Sequence, residues 1–387
     1  MAGAAMLAGC ATASPVAAAG QQALCEAQGV RVFTGFPEAG RHDCVIAPDG
    51  SVVISVDHEP SVEEGINPSP WYAFRIEASP AGHRTVVLDY SDYRHRYSPE
   101  ISRDGRSWSL LPDQQVTLND RRTRASLSLD IPSGGLWVAG QPMSPSRQAL
   151  AWTRDETGGR GFAEKTYGTS RRGADLQGFV RAPEGATASI IALTRQHPPE
   201  ITGEYAYKGF LDRLLTRDDA AAKAFRAAHR IILAPMPNPD GVDGGHWRLN
   251  AGGIDLNRDW FMLTQPETQQ ASRWVAAEAN GTPVVAFFDF HSTNRTVIYA
   301  PPLDAPSPTI AFLPALKERL DAALSEPPKW SYNHNLEGGT SKGWALATLK
   351  APGITVELSD DETEEDARRI GELVADAMID YFSFAKE

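Results

Sequence analysis

The 387-residue chain is long enough for two domains, and its composition, 42% hydrophobic and 22% charged, is typical of globular proteins. A formal net charge of −12 without a basic stripe excludes general nucleic-acid binding. The sequence has no internal apolar stretch long enough to predict a transmembrane helix.

The first residues have the composition of an export leader. Residues 1–20 are almost entirely Ala, Gly, Ser and small apolar residues, and Leu7-Ala-Gly-Cys10 resembles a bacterial lipobox, whose Cys becomes lipidated. We therefore expect residues 1–24 to be a leader or linker. The protein is then exported from a bacterial cell, as a periplasmic, secreted or lipid-anchored form. The basic start expected of a signal is missing, so either the true start lies upstream or these residues are a low-complexity tail.

Two cysteines remain besides Cys10, namely Cys25 and Cys44. An even pair in an exported chain predicts a disulfide that closes a short loop, and two unpaired thiols are the alternative.

Residues 25–145 are predicted to form a small antiparallel β-sandwich. Short runs with alternating polarity recur between turn residues such as Pro80-Ala-Gly82, with few helical stretches between them. These runs are residues 51–56, 72–76, 84–88, 125–129 and 135–138. We expect no clustered catalytic residues in this region.

From residue 146 the pattern changes to strands that alternate with helices. It predicts an α/β domain over 146–387, with a mixed, largely parallel sheet and helices on both faces. Continuous apolar runs predict buried strands at 189–194, 231–234 and 284–288. One helix is predicted to begin with a capping box at Thr264-Gln-Pro-Glu267 and to end at Asn280-Gly281. A final amphipathic helix is predicted over 363–384.

A histidine and a glutamate follow the first of these strands, in His197-Pro-Pro-Glu200. Imidazole and carboxylate suit Zn²⁺ in a hydrolytic site, where a third ligand and a water complete the shell. The pair alone is weak evidence, because a turn with a hydrogen-bonded histidine has the same pattern.

Further segments supply chemistry that this pair lacks. His291 is expected just beyond the strand that ends at Phe288-Asp289, at the sheet edge where open α/β folds build their sites. Glu357 lies inside an apolar strand, where an unpaired charge is unfavourable. The other polar segments are Asn238-Pro-Asp240-Gly241, Trp247-Arg248 and Asp255-Leu-Asn257-Arg258.

In this order, the motifs resemble those of the zinc metallocarboxypeptidases, of which pancreatic carboxypeptidase A is a familiar member. The resemblance covers roughly residues 187–360 and is nearest to the cytosolic-carboxypeptidase-like branch, in which a β-sandwich also precedes the catalytic domain. It implies one zinc ion bound by His197, Glu200 and His291. It also implies that Asp255 orients the first of these histidines.

The resemblance implies further roles around the metal. Asn257 and Arg258 would hold the terminal carboxylate of the substrate, since Arg presents a planar fork that matches a carboxylate. Arg248 would stabilise the oxyanion, and Glu357 would be the general base. The alternatives are a core histidine at 291, surface ion pairs for the arginines and a structural pairing for Glu357.

The sequence departs from the family pattern at the active-site tyrosine and at Pro199. Ungapped counting from Glu357 places Asn335 where the family has its active-site tyrosine; we favour the nearby Tyr332 for that role, with His334 as the competitor. In the same ungapped register, Lys342 falls where the family has its selectivity residue, at the bottom of the pocket for the C-terminal residue, and a cation there would favour Glu or Asp. A solvated lysine on a Gly-rich loop is the alternative. Pro199 stands where pancreatic relatives carry an arginine.

These features predict an exported, zinc-dependent metallocarboxypeptidase that removes one residue from the C-terminus of peptides or proteins. One alternative is a zinc amidase on the same fold, either an N-acyl amino-acid deacylase or a cell-wall peptide trimmer. A less favoured alternative is a catalytically silent binding module. No oligomeric state is predicted.

Overall fold

A computed structural model describes residues 22–59, 61–62, 68–91 and 93–384. Cys10 and most of the predicted leader lie outside these residues. Within them, no helix combines the length and the apolar character that crossing a bilayer requires.

The first part of the chain forms two facing β-sheets around one apolar core. Their strand orders are β1-β2-β5-β11-β7-β8 and β3-β4-β6-β10-β9. In β4 every second side chain is buried, as expected for a sheet with one face toward a core. The strands are β1 (Cys25–Ala27), β2 (Val30–Phe33), β3 (His42–Ile46), β4 (Val52–Val56), β5 (Ala73–Ala78), β6 (Gly82–Asp89), β7 (Glu100–Ser102), β8 (Trp108–Leu110), β9 (Val116–Leu118), β10 (Arg124–Ile131) and β11 (Leu136–Ala139).

This arrangement confirms the predicted sandwich but is not wholly antiparallel. β4 pairs with β6 in parallel, because the chain crosses to the other sheet as β5 before it returns. Cys25 of β1 and Cys44 of β3 form a disulfide with their Cα atoms 5.6 Å apart. The disulfide therefore joins the two sheets covalently.

The second part is built on one mixed sheet of eight strands, in the order β12-β13-β15-β14-β16-β19-β17-β18. The strands are β12 (Phe162–Thr169), β13 (Asp175–Arg181), β14 (Ala188–Thr194), β15 (His229–Ala234), β16 (Val284–Thr293), β17 (Val297–Ala300), β18 (Lys329–Tyr332) and β19 (Gly353–Ser359). The helices are α1 (Ser146–Thr157), α2 (Ile201–Thr216), α3 (Ala220–Ala228), α4 (Pro239–Asp243), α5 (Pro266–Ala279), α6 (Phe312–Ala323), α7 (Ser341–Trp344) and α8 (Glu364–Phe384).

The four central strands, β15, β14, β16 and β19, are parallel, and helices cover both faces, as predicted. Alternate residues of β14 enter different cores. Ile190 and Ala192 pack with residues of α2, α6 and α8, whereas Ile191 and Leu193 pack with residues of α5. Burial on both faces explains why this strand is a continuous apolar run.

The predicted capping box of α5 is wrong. The helix begins at Pro266, and the Gln265 side chain makes no capping hydrogen bond. Instead the carboxylate of Asp259 accepts the backbone N–H groups of Thr264 and Gln265, which ties down the preceding turn. The predicted end of α5 at Asn280 and the predicted terminal helix are both found.

A buried ion cluster links the two parts of the chain. The Arg195 side chain is fully buried and pairs with Glu38, at 2.9 Å, and with Glu204 of α2. It also donates to the carbonyls of Ser144 and Pro198. A buried arginine requires such partners, and here they fix the loop that leads into His197. The predicted domain boundaries at residues 24/25 and 145/146 stay predictions.

Candidate metal centre and active site

Three side chains converge at the carboxyl edge of the central strands. His197 follows β14, Glu200 immediately precedes α2, and His291 lies in β16. Nδ1 of His197 is 2.7 Å from Oε1 of Glu200, and Nδ1 of His291 is 2.5 Å from Oε2 of the same carboxylate. Their potential ligand atoms all lie within 4.8 Å of one another. Two imidazoles and one carboxylate at this spacing fit a single Zn²⁺ ion.

Close backbone packing holds Glu200 against His291. A Cβ atom on Gly203, in the first turn of α2, would lie 2.7 Å from the carbonyl carbon of His291. Glycine therefore lets the helix approach β16 this closely. The Gly203 N–H also donates to Ser292 Oγ at 3.1 Å.

The position of His291 differs from the expectation. β16 does not end at Asp289 but continues to Thr293, so His291 is a strand residue paired with Glu357 of β19. The strand extends because β19 offers it a continuous ladder of partners, which a local sequence pattern does not reveal. The pairing places the third ligand directly beside the predicted base.

A buried carboxylate lies behind each histidine. Nε2 of His197 is 2.9 Å from Asp255 Oδ1, and Nε2 of His291 is 2.8 Å from Asp289 Oδ2; both aspartates are completely buried. Such partners orient the rings and leave each Nδ1 for the metal. The sequence analysis predicted Asp255 but missed Asp289. The sequence did offer a signal for Asp289, namely a charged residue inside the apolar segment Phe-Phe-Asp-Phe-His at 287–291.

The charges in this cluster stabilise one another. Burial alone would raise the pKa of Glu200, but the adjacent His197 and His291 outweigh burial and lower that pKa. Burial would lower the pKa of His197, and the charges of Glu200 and Asp255 raise it instead. Glu200 is therefore held in the deprotonated form that binds a metal.

A cavity of about 210 Å³ opens over this cluster. Most of the residues predicted for the site line it. They are His197, Glu200, Arg248, Asn257, Arg258, His291, His334, Lys342 and Glu357.

Glu357 lies in the cavity wall next to the metal ligands. Burial is the main reason that its pKa is raised above the ordinary value, and the negative charge of Glu200 raises it further. A carboxylate with a raised pKa is a better proton acceptor and donor near neutral pH than an exposed one.

The predicted anion-binding groups surround the cluster. Arg248 pairs with Asp255 through Nε and Nη2, at 2.8 and 2.6 Å. Asn257 is tied into the site, since its Oδ1 accepts the Ser341 N–H at 2.9 Å. Arg258 is the more open cation, with 35% of its side chain exposed.

Tyr332 lies outside the cavity, contrary to its predicted role. It is 37% exposed, stacks on Trp330 in the edge strand β18, and borders a separate surface groove. The ungapped count had placed Asn335 at the tyrosine position, and Asn335 does line the cavity, whereas the short gap that would bring Tyr332 there does not hold. Tyr299 of β17 lines the cavity instead, and His334 stacks on its ring at 4.7 Å.

Lys342 is a wall residue of the cavity and is only 3% exposed, so the alternative of a solvated lysine is wrong. Its Nζ lies 5.6 Å from the centre of the Tyr299 ring. Burial lowers the pKa of Lys342 to about 8, although the charge of Asp289 opposes this effect.

The sandwich contributes to the cavity wall, although the sequence analysis expected no clustered catalytic residues in this region. Arg96 and Tyr97 both lie in the cavity wall. In addition, the buried carboxylate of Glu59 accepts the backbone N–H groups of Trp247, Arg248 and Leu249. No local motif marks these residues, because their partners are more than a hundred positions away.

A sequence model of the family described as zinc carboxypeptidase matches residues 163–378. The chain is 29% identical over 198 residues to an uncharacterized protein of Zymomonas mobilis, covering 49% of this chain and 50% of that protein. It is 33% identical over 142 residues to cytosolic carboxypeptidase-like protein 5 of Mus musculus, covering 37% of this chain and 14% of that protein. The chain thus spans half or less of the length of these curated relatives.

Solved structures share the fold over most of the chain. A metallo-carboxypeptidase from Burkholderia cenocepacia superposes with a TM-score of 0.78 at 17% identity, covering 91% of this chain and 99% of that chain. A metallo-carboxypeptidase from Pseudomonas aeruginosa, in complex with (2-guanidinoethylmercapto)succinic acid, gives a TM-score of 0.72 at 20% identity, covering 91% and 98%. Because these matches include the sandwich strands, they confirm the predicted fold class for both parts of the chain.

We expect the purified protein to bind one zinc ion, and the His291→Ala variant to lose it, because two ligands remain where three converge. Metal content after dialysis, measured by mass spectrometry, checks this. The matched control is His334→Ala, which removes an imidazole from the same cavity but not from the ligand cluster, and which should retain zinc. Equal zinc content in the His291→Ala variant and the wild type would contradict the ligand assignment.

Proposed function

The chain belongs to the zinc carboxypeptidase family, and from that premise we propose that it is a zinc-dependent exopeptidase acting on the C-termini of peptides or proteins. One observation carries the proposal. His197, Glu200 and His291 converge in the same cavity that Glu357 and Arg258 line. This hydrolysis requires a metal site, a buried base and a group that binds the terminal carboxylate of the substrate.

The proposed chemistry divides between metal and protein. A zinc ion at the cluster would polarise the scissile carbonyl and make water more acidic. Glu357 accepts the proton of the attacking water and returns it to the leaving amine, a task for which its raised pKa suits it. Arg248 stabilises the negative charge that develops on the carbonyl oxygen. Asp255 holds its guanidinium in place, and the Glu59 carboxylate holds its backbone N–H.

Recognition of a free C-terminus is assigned to Arg258, with Asn257 in support. The guanidinium of Arg258 is partly exposed in the cavity and can take a carboxylate in the bidentate manner. Asn257 connects the Arg258 turn to Ser341 at the start of α7, so it fixes the distance between the α-carboxylate site and Lys342.

We propose that the side chain of the substrate's C-terminal residue binds near Lys342. A buried cation that faces a cavity is best matched by an acidic side chain, so we propose a preference for a terminal Glu or Asp. Asp289, Arg258 and Glu357 are the charged groups that act on Lys342.

We also propose that the protein is exported from a bacterial cell, with Cys10 as a candidate lipid anchor. The composition of the leader supports export, and so does the Cys25–Cys44 disulfide, since disulfides persist in oxidising compartments. Mass spectrometry of the mature N-terminus after expression in a bacterial host should find a chain shortened to Cys10 or beyond. An intact leader on cytoplasmic protein would count against export.

Replacing the proposed base should separate catalysis from metal binding. We expect Glu357→Gln to lower kcat for a peptide substrate by about 10²–10⁴-fold, because the amide cannot accept the proton. The variant should retain zinc, since Glu357 is not one of the three ligands. Release of free amino acid, followed by chromatography, measures kcat. Full activity would refute the assignment, and cleavage of N-acyl amino acids but not peptides would favour the amidase.

The preference for an acidic terminal residue should depend on pH in a defined direction. Lys342 is charged below its pKa of about 8 and neutral above it. The preference for Glu, defined as kcat/KM for peptides ending in Glu divided by kcat/KM for peptides ending in Gln, should therefore fall as the pH rises through about 8. In Lys342→Met, which keeps the apolar stem, the ratio should be low and independent of pH. An unchanged ratio in that variant would remove Lys342 from the specificity pocket.

A further inference from the structure

A cleft of about 590 Å³ lies where the sandwich meets the peptidase part of the chain. The sandwich contributes Glu100 of β7 and Trp108 of β8 to the walls of this junction cleft, and α2 contributes Thr202 and Tyr205. No described residue lines both the junction cleft and the cavity over the metal cluster. The two are therefore separate sites.

The walls of the junction cleft are acidic. Among its described lining residues, Arg106 is the one base, against five acids. The acids are Glu100, Asp360, Asp361, Glu362 and Glu364. An excess of carboxylates around a cleft with protein walls attracts a positively charged occupant.

Glu100 differs from the other acids because its carboxylate is unpaired. The other four bind protein groups, in the pairs Asp360–Arg96, Asp361–Ser98, Glu362–Thr296 and Glu364–Arg368. The carboxylate of Glu100 makes no hydrogen bond or ion pair with any described residue, although the residue is partly buried. Burial raises the pKa of Glu100 to about 7. An unpaired, partly buried carboxylate is unfavourable for the folded protein, and a cationic ligand would remove that cost.

A second unpartnered group lies in the wall that α2 forms. Oγ1 of Thr202 is buried and has no hydrogen-bond partner among the described residues, and the whole residue is only 2% exposed. A helical threonine commonly donates to the carbonyl of the preceding turn, but Thr202 does not. Leaving a buried hydroxyl without a partner costs free energy. Because Thr202 lines the cleft, an occupant can supply the missing partner.

The spacing of these groups disfavours a metal ion and favours an organic cation. Among the described residues, three ligand atoms within 4.8 Å of one another occur at His197, Glu200 and His291, and not in the junction cleft. The cleft instead offers two aromatic rings, Trp108 from the sandwich and Tyr205 from α2. Aromatic faces attract ammonium groups and also pack against alkyl chains.

We propose that the junction cleft binds an organic cation, a primary ammonium group on an alkyl chain, with the carboxylate of Glu100 as its ion-pair partner. An ammonium group donates hydrogen bonds and accepts none, so a carboxylate and a hydroxyl oxygen such as Oγ1 of Thr202 both suit it. The alkyl chain then packs against Trp108 and Tyr205. A free diamine and the lysine side chain of another protein offer this same chemistry. The inference does not rest on the proposed function, since no metal ligand or proposed catalytic group lines the cleft.

The first test measures binding to the full chain by calorimetry, with the linear diamine cadaverine as the probe and pentanediol as its uncharged analogue. The wild type should bind cadaverine and not pentanediol. Glu100→Gln should weaken the affinity about tenfold, because a charge-assisted hydrogen bond is lost. Thr202→Val should weaken it less and retain zinc. The matched control is Glu184→Gln, which removes an exposed carboxylate between β13 and β14 and should bind as the wild type does.

Equal affinities of Glu100→Gln and Glu184→Gln for cadaverine would overturn the site, and so would equal binding of pentanediol. Repeating the titration with Nα-acetyl-lysine amide distinguishes the two sources. Tighter binding than that of cadaverine would identify a lysine side chain as the natural occupant, and weaker binding a free diamine. Binding that is lost in His291→Ala would instead place the amine at the metal cluster and refute the junction cleft.

The second test uses thermal unfolding, which also checks that the variants fold. Well above the pKa of about 7, where Glu100 is ionised, the ligand-free Glu100→Gln variant should have a higher Tm than the wild type, because an unpaired charge is removed. Saturating cadaverine should raise the Tm of the wild type and leave that of Glu100→Gln nearly unchanged, since only the form that binds the ligand is stabilised. Equal rises in Tm for both proteins would contradict the role of Glu100.

Discussion

Glu200 is contacted by Nδ1 of His197 and Nδ1 of His291 at the same time, and the other features of the site depend on this convergence. It requires β14 and β16 to run in parallel, so that both deliver polar residues to one sheet edge. It also requires buried aspartates behind both rings, since otherwise the orientation of each imidazole would be free. Glu357 enters the same wall because β19 pairs with β16 in register.

The sandwich is part of this site. Through Glu38 it contributes to the buried pairing of Arg195, two residues before the first histidine. Through Glu59 it fixes the backbone of the segment that carries Arg248, and through Arg96 and Tyr97 it forms part of the cavity wall. The preceding domain therefore helps to shape a site whose proposed catalytic groups all come from the later half of the chain.

The sequence was sufficient for features that a local pattern encodes. Buried strands appear as apolar runs, and the ligand residues occur in a recognisable order, so the fold class and the His197, Glu200 and His291 cluster could be predicted. Contacts between distant segments could not. Asp289 lies inside an apolar strand, Tyr332 was favoured by assuming a short gap in a loop, and Arg96 is marked by no motif. Each of these depends on strand pairing or loop length, which a single sequence does not specify.

Trp247 and Arg248 are neighbours in the chain, and together they join the sandwich to the cavity. The indole of Trp247 packs into the apolar core of the sandwich and also borders the cavity that Arg248 lines. A chain cut near residue 146 would leave this tryptophan in water and Arg248 on an unsupported loop. The two halves must accordingly be expressed together, and a chimera that joins sandwich and peptidase from different relatives would have to preserve the fit around this one indole.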